Sequence, residues 1–144
     1  SSLDLNFNHP VKELIWTGGV DAQTDGFIAD DSGPSTPETV GTGKFHLKLN
    51  GHDRMAERDA EYFTRVQVMD HHGGYGSLIN DGSIAVYSFA LKPEEHQPSG
   101  TCNFSRIDNA QLVASSAEAS YDIYAINYNV LRIMSGMGGL AYSN

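Results

Sequence analysis

The sequence predicts an all-β domain, an antiparallel sandwich of short strands with one or two short helices. Three observations carry this. The chain holds 15 Gly and 5 Pro against 40% hydrophobic residues, a turn-rich composition for its 144 residues. Its apolar runs are short and bounded by turn signals, as in a sandwich. Where a pattern is clear it has period two: in Phe45-His46-Leu47-Lys48-Leu49 the residues Phe45, Leu47 and Leu49 share one face.

Val11–Trp16 is a compact apolar strand after Pro10. Phe45–Leu49 ends at Asn50-Gly51, a favoured hairpin turn pair. The charge-dense stretch 53–68 contains Asp59, positioned to cap a short helix bearing Tyr62, Phe63 and Val66. Asn80-Asp81-Gly82 is a turn leading into Ile84–Leu91, and Ala110–Ser115 is a weaker strand. Ile84–Leu91 and Tyr121–Met134 are apolar on both faces. A solvent-facing antiparallel strand alternates apolar with polar, so these two predict packing on both sides. One side is the domain's own core; the other calls for a second domain or subunit, or for a bend at Asn127-Tyr128-Asn129 that redirects the second strand.

The chain closes on an apolar, glycine-rich segment with Leu131, Ile133, Met134, Met137, Leu140 and Tyr142 and a single charge, Arg132. Contiguous apolar surface marks an interface, and the segment falls short of the ~20 apolar residues that span a bilayer. Its expected partner is protein, either this domain's core or a neighbouring subunit. Trp16 and Phe89 join these six as expected packing residues.

Four blocks, in order, resemble the major capsid proteins of nucleocytoplasmic large double-stranded DNA viruses, the algal, giant and iridescent virus type. They are Leu5–Trp16, Leu49–Arg54 with Glu61-Tyr62-Phe63, Val86–Asn109, and Asn127–Tyr142. Thr17–Lys44 has no matching block, and Val68-Met69-Asp70 stands where the family pattern has a proline-containing turn. The resemblance implies a double jelly roll, two eight-stranded sandwiches in tandem, trimerised into pseudo-hexagonal capsomers of an icosahedral shell. The matched blocks belong to the second jelly roll, so residues 1–144 are expected to form that single domain. The opening Ser1-Ser2-Leu3, without an initiator Met, fits a fragment or processed chain. Expected partners are copies of itself as a homotrimer, neighbouring capsomers and minor capsid proteins, in a virion assembled in the host cytoplasm.

Charge and composition narrow the alternatives. A net charge of −9 argues against binding nucleic acid, which needs clustered Lys and Arg. It argues equally against an anionic membrane surface, and no apolar run predicts membrane insertion. One cysteine, Cys102, rules out an internal disulfide and suits a reducing compartment; the absence of a signal-peptide pattern points away from secretion. Thr17–Lys44 holds six Gly, two Pro, five acidic residues and one Lys, and reads as a long acidic loop, outward-facing or a linker.

Chemical sites are weak. His46, His52, His71, His72 and His96 are scattered without a His-x-His pair, and adjacent His71-His72 point oppositely in an extended segment. No metal, cofactor or catalytic residue is expected. Glu94-Glu95-His96, between two prolines, reads as a turn or interface loop. Asp21–Gly26 resembles a calcium loop but has Gln23 and Ser32 at ligand positions, and reads as a polar turn. Cys102 reads as a packed structural thiol. Asn103-Phe104-Ser105 fits the glycosylation sequon, in an apolar setting that suggests burial. The runner-up function is a stand-alone sandwich that binds carbohydrate at a host surface, which would need an exposed aromatic platform.

Overall fold

The computed structural model describes residues 1–19, 40, 43–73, 84–115 and 120–142. Most of the acidic loop 17–44, the Asp21–Gly26 segment and the Asn80-Asp81-Gly82 turn lie outside the described residues. Two antiparallel sheets face each other. The first contains β1 (Ser2–Asp4), β3 (Lys44–Leu49), β4 (His52–Asp53), β5 (Arg58–Asp59) and β8 (Ala110–Ala114), in the order β1-β8-β3-β4 with β5 also on β3. The second places β2 (Pro10–Gly19) between β9 (Ser120–Asn127) on one edge and β6 (Ile84–Ser88) with β7 (Cys102–Asn103) on the other. A separate hairpin pairs β10 (Leu131–Met134) with β11 (Met137–Leu140).

The alternation in β3 is realised as read: Phe45 and Leu47 are fully buried and Leu49 partly. Asn50 and Gly51 both take positive φ, 51° and 79°, in a two-residue turn joining Leu49 to His52. That geometry matches the right-handed twist of the flanking strands. Between the sheets, Trp16 from β2 meets Phe45 from β3 at 5.6 Å and Phe63 at 5.2 Å between ring centroids. Phe45 also meets Tyr121 of β9 edge-on at 5.4 Å. Tilted and edge-to-face packing is preferred by the ring quadrupoles, and this cluster joins both sheets to the helix that carries Phe63.

That helix departs from expectation at its start. Asp59 does not cap it; its backbone pairs with Lys44 in β5, and the helix follows from Glu61 without a side-chain cap. A π-helical turn over Tyr62–Val66 runs directly into α1 (Gln67–His71). Phe63 is buried, whereas Val66 is 45% exposed.

Ile84–Leu91, expected to be one strand packed on both sides, is shorter than its apolar run. Strand β6 stops at Ser88, whose hydroxyl bonds the backbone of Ala90, and among the described strands β6 pairs with β2 alone. Both parities are nonetheless buried: Ala85 and Tyr87, Val86 and Ser88. The helix explains this. The Gln67 side chain accepts a hydrogen bond from the outward Ser88 amide at 3.2 Å, so the chain covers its own sheet edge. Leu91, expected to be buried, is 76% exposed.

Gly100 shows how tightly the loop after β6 is held. Its φ is +143°, and a β-carbon there would lie 2.5 Å from the Phe89 carbonyl oxygen. Gly100→Ala should cost about 2–3 kcal/mol in a denaturant titration, from strain and clash together.

Candidate assembly surface

Strand β9 packs Tyr121, Ile123 and Ala125 against the core and leaves Tyr124 and Ile126 exposed on its other face. The strand does not continue to Met134. After Asn127 the chain leaves the sheet, tied at its exit by Tyr128 N–H to Pro10 O at 2.9 Å and Asn127 Nδ2 to Asn8 O at 3.1 Å. The break falls at the Asn-Tyr-Asn segment, but it redirects the chain outward instead of back into the core.

Beyond this exit the β10–β11 hairpin stands out as an arm. The Ala141 amide donates to Val130 O at 2.7 Å, and Asn129 Nδ2 to Tyr142 O at 2.9 Å, closing its base. Its tip is Ser135-Gly136, again with two positive φ values, 52° and 77°. The register pairs Leu131 with Leu140, Ile133 with Gly138 and Met134 with Met137. One face therefore presents Leu131, Ile133 and Leu140, and the other Met134, Met137 and Arg132. Every residue from 130 to 140 is exposed, with Leu131, Ile133, Met134, Met137 and Leu140 each at 60–76%. Of the two partners expected for this segment, the domain's own core is thus excluded. A two-stranded hairpin is marginal alone in water, and both apolar faces here lack cover. A β-carbon at Gly139 would meet nothing within 4 Å, and one at Gly138 only Ile133 Cγ1 at 3.9 Å, ordinary contact, so no close approach among the described residues requires these glycines.

Trp16 and Phe89 belong elsewhere. Trp16 is 0% exposed at the centre of the aromatic cluster, and Phe89 is partly buried edge-on to Tyr87 and Phe104. Both pack the domain itself. With the single Trp buried, the aromatic platform that carbohydrate binding would need is not formed by it.

At the foot of the arm lies an open cleft of about 450 Å³, lined by His9, Pro10, Asn103, Ser105, Tyr128, Asn129, Val130 and Tyr142. His9 holds φ at 69° ahead of Pro10, fixed by its amide bonding Ser105 Oγ at 2.8 Å and its carbonyl accepting from Phe104 N–H. Among the described residues the Tyr128 hydroxyl is buried without a hydrogen-bond partner, and Lys12 Nζ stands over its ring at 5.2 Å. Asn103 is exposed at the rim, contrary to expectation, and its side chain caps the Ser105 amide at 3.2 Å.

The histidines do not converge. His46 lies 3.7 Å from Asp53, His71 faces the Leu91 carbonyl, and His52 and His96 are exposed. Among the described residues no three His, Cys, Asp or Glu side chains are placed to hold a metal. His72 has a structural position that the sequence did not reveal. Its Nε2 is 2.5 Å from Glu13 Oε2 and its Nδ1 3.0 Å from Glu94 Oε1. Glu13 sits mid-sheet on β2 at 2% exposure, so His72 joins a buried carboxylate to the loop after β6. The Gly73 amide and the His72 ring hold the Glu94 carboxyl below its ordinary range. A depressed carboxyl stabilises the fold above its unfolded pKa and loses that contribution as pH falls through its folded value. Glu94→Gln should therefore flatten the acid limb of the stability profile below about pH 4.5, as followed by melting temperature against pH.

Burial pushes the Cys102 thiol up, opposed by the charge of Arg54, not of the sequence neighbour Arg106. A raised pKa leaves little thiolate, as in a structural cysteine.

Comparison with known proteins decides the family. Residues 1–139 match the model described as large eukaryotic DNA virus major capsid protein. The chain belongs to that family. It is 48% identical to the major capsid protein of Pyramimonas orientalis virus over 100% of this chain and 39% of that protein. With the major capsid protein of Paramecium bursaria Chlorella virus 1 the identity is 38%, over 99% of this chain and 43% of the relative. In three dimensions it superposes on the quasi-atomic model of the PBCV-1 virus capsid with TM-score 0.79 and 35% identity, covering 100% of this chain and 46% of that one. The major capsid protein of Faustovirus, at 12% identity and TM-score 0.59, shares the fold. The described sheets are thus those of a jelly-roll sandwich in a major capsid protein family, and this chain spans less than half the length of these relatives.

Proposed function

We propose that this chain is a structural domain of a major capsid protein: residues 1–144 form one jelly roll, the second of a tandem pair. The full polypeptide trimerises into pseudo-hexagonal capsomers, which pack with their neighbours and with minor capsid proteins into an icosahedral shell assembled in the host cytoplasm. The role is mechanical, with no catalytic residue, metal or cofactor assigned. The observation that carries the reading is the arm: an ordered hairpin with Leu131, Ile133 and Leu140 on one face and Met134 and Met137 on the other, all uncovered. Burying such side chains is favourable at ~25 cal/mol per Å² of apolar area, before ordering costs.

Sedimentation velocity of the chain and of an Ile133→Lys, Leu140→Lys double variant tests this. The parent should associate with rising concentration. The variant, altered only at exposed positions, should stay monomeric with an unchanged melting temperature. Equal association of the two would contradict an assembly role for the arm.

A further inference from the structure

Resting on the assembly reading, we propose that the β10–β11 arm of one copy seats its methionine tip in the cleft at the foot of the arm on a neighbouring copy. Two observations point to a second copy as the occupant. The first is charge. From Ile123 to Asn144 there is no Asp or Glu and one basic residue, Arg132, so all 18 acidic residues lie on the rest of the chain. Two acidic bodies repel, and the arm together with its cleft offers a carboxylate-free approach between them.

The second is shape. The cleft is concave, mostly apolar and about 450 Å³, walled by Pro10, Tyr128, Val130 and Tyr142. Met134 and Met137 flank the tip turn on the same face, at 64% and 76% exposure. Unbranched and flexible, methionine fills irregular gaps well. Four strand residues at ~3.3 Å each hold the tip on the order of 13 Å from the base. The bonds closing that base at Val130 and Tyr142 keep a tip out of its own cleft.

Arm into cleft is a head-to-tail contact, the kind that closes into a ring when the rotation permits.

The test is disulfide cross-linking between two singly substituted chains, both carrying Cys102→Ser. One has Met137→Cys at the tip and the other Val130→Cys at the cleft. Both positions are exposed, so circular dichroism should match the parent. On mild oxidation the mixture should give unlike pairs about tenfold or more over like pairs, because docking raises the effective concentration of those two thiols. Dominant Met137→Cys like pairs would show arm against arm and overturn the proposal. Oligomers that sediment as such yet give no cross-link would overturn it while leaving the assembly reading intact. A chain monomeric at every concentration would overturn both.

Discussion

His72→Ala should cost about 3 kcal/mol or more of folding stability, measured by denaturant unfolding, although His72 is only one of six histidines. Glu13 lies mid-sheet at 2% exposure with the His72 ring against its carboxylate. Removing the ring leaves that carboxylate buried and uncompensated, and breaking a buried pair from one side carries a penalty in this range. The side chain of His72 is itself 24% exposed, so some water reaches the gap and the lower end applies. Glu13→Leu combined with His72→Ala should recover most of the loss, because an apolar pair needs no polar partner. His72→Asn, conservative by sequence standards, should also destabilise, since its shorter side chain cannot reach Glu13 and Glu94 together. A single variant as stable as the parent would mean that Glu13 is satisfied by other means.

Trp16→Ala should be the most damaging apolar truncation, at about 3–5 kcal/mol. The ring is fully buried and touches both Phe45 and Phe63, so its loss opens a cavity where the two sheets and the helix meet. Against a typical total of ~5–15 kcal/mol this leaves a marginal fold. Trp16→Phe should recover part of it. Trp16 is also the sole tryptophan, so its fluorescence reports this core directly: blue-shifted when native and red-shifted on unfolding. An exposed-type emission from the native chain would contradict the core placement.

Local pattern was legible where a local cause dominates. Alternation located β3, and Asn50-Gly51 located its turn, because strand period and positive φ are properties of a few adjacent residues. The four family blocks carried the jelly roll. Three things were hidden for physical reasons. Glu13 and His72 are 59 positions apart and carry no motif; only the fold brings them together. Apolar Trp16 and apolar Ile133 look alike in a sequence, yet one fills the core and the other faces outward, because hydrophobicity records a need for cover and not its source. The same ambiguity let two-sided β6 suggest a neighbouring domain when its own helix supplies the cover. Asp59 has a good capping side chain, but pairing with Lys44 takes its backbone first.

The central claim is that the arm's apolar faces are covered when the protein assembles. Amide hydrogen exchange across residues 131–140, compared between the dilute chain and the assembled form, tests it most directly. In the dilute chain the outward-facing edge amides should exchange fast, while the ladder between β10 and β11 exchanges at an intermediate rate, given the marginal stability of an isolated hairpin. On assembly the whole arm should become strongly protected, in step with the oligomer fraction. Exchange over 131–140 that stays equally fast in the assembled form would show the arm still in water, and would contradict assembly of this domain through it.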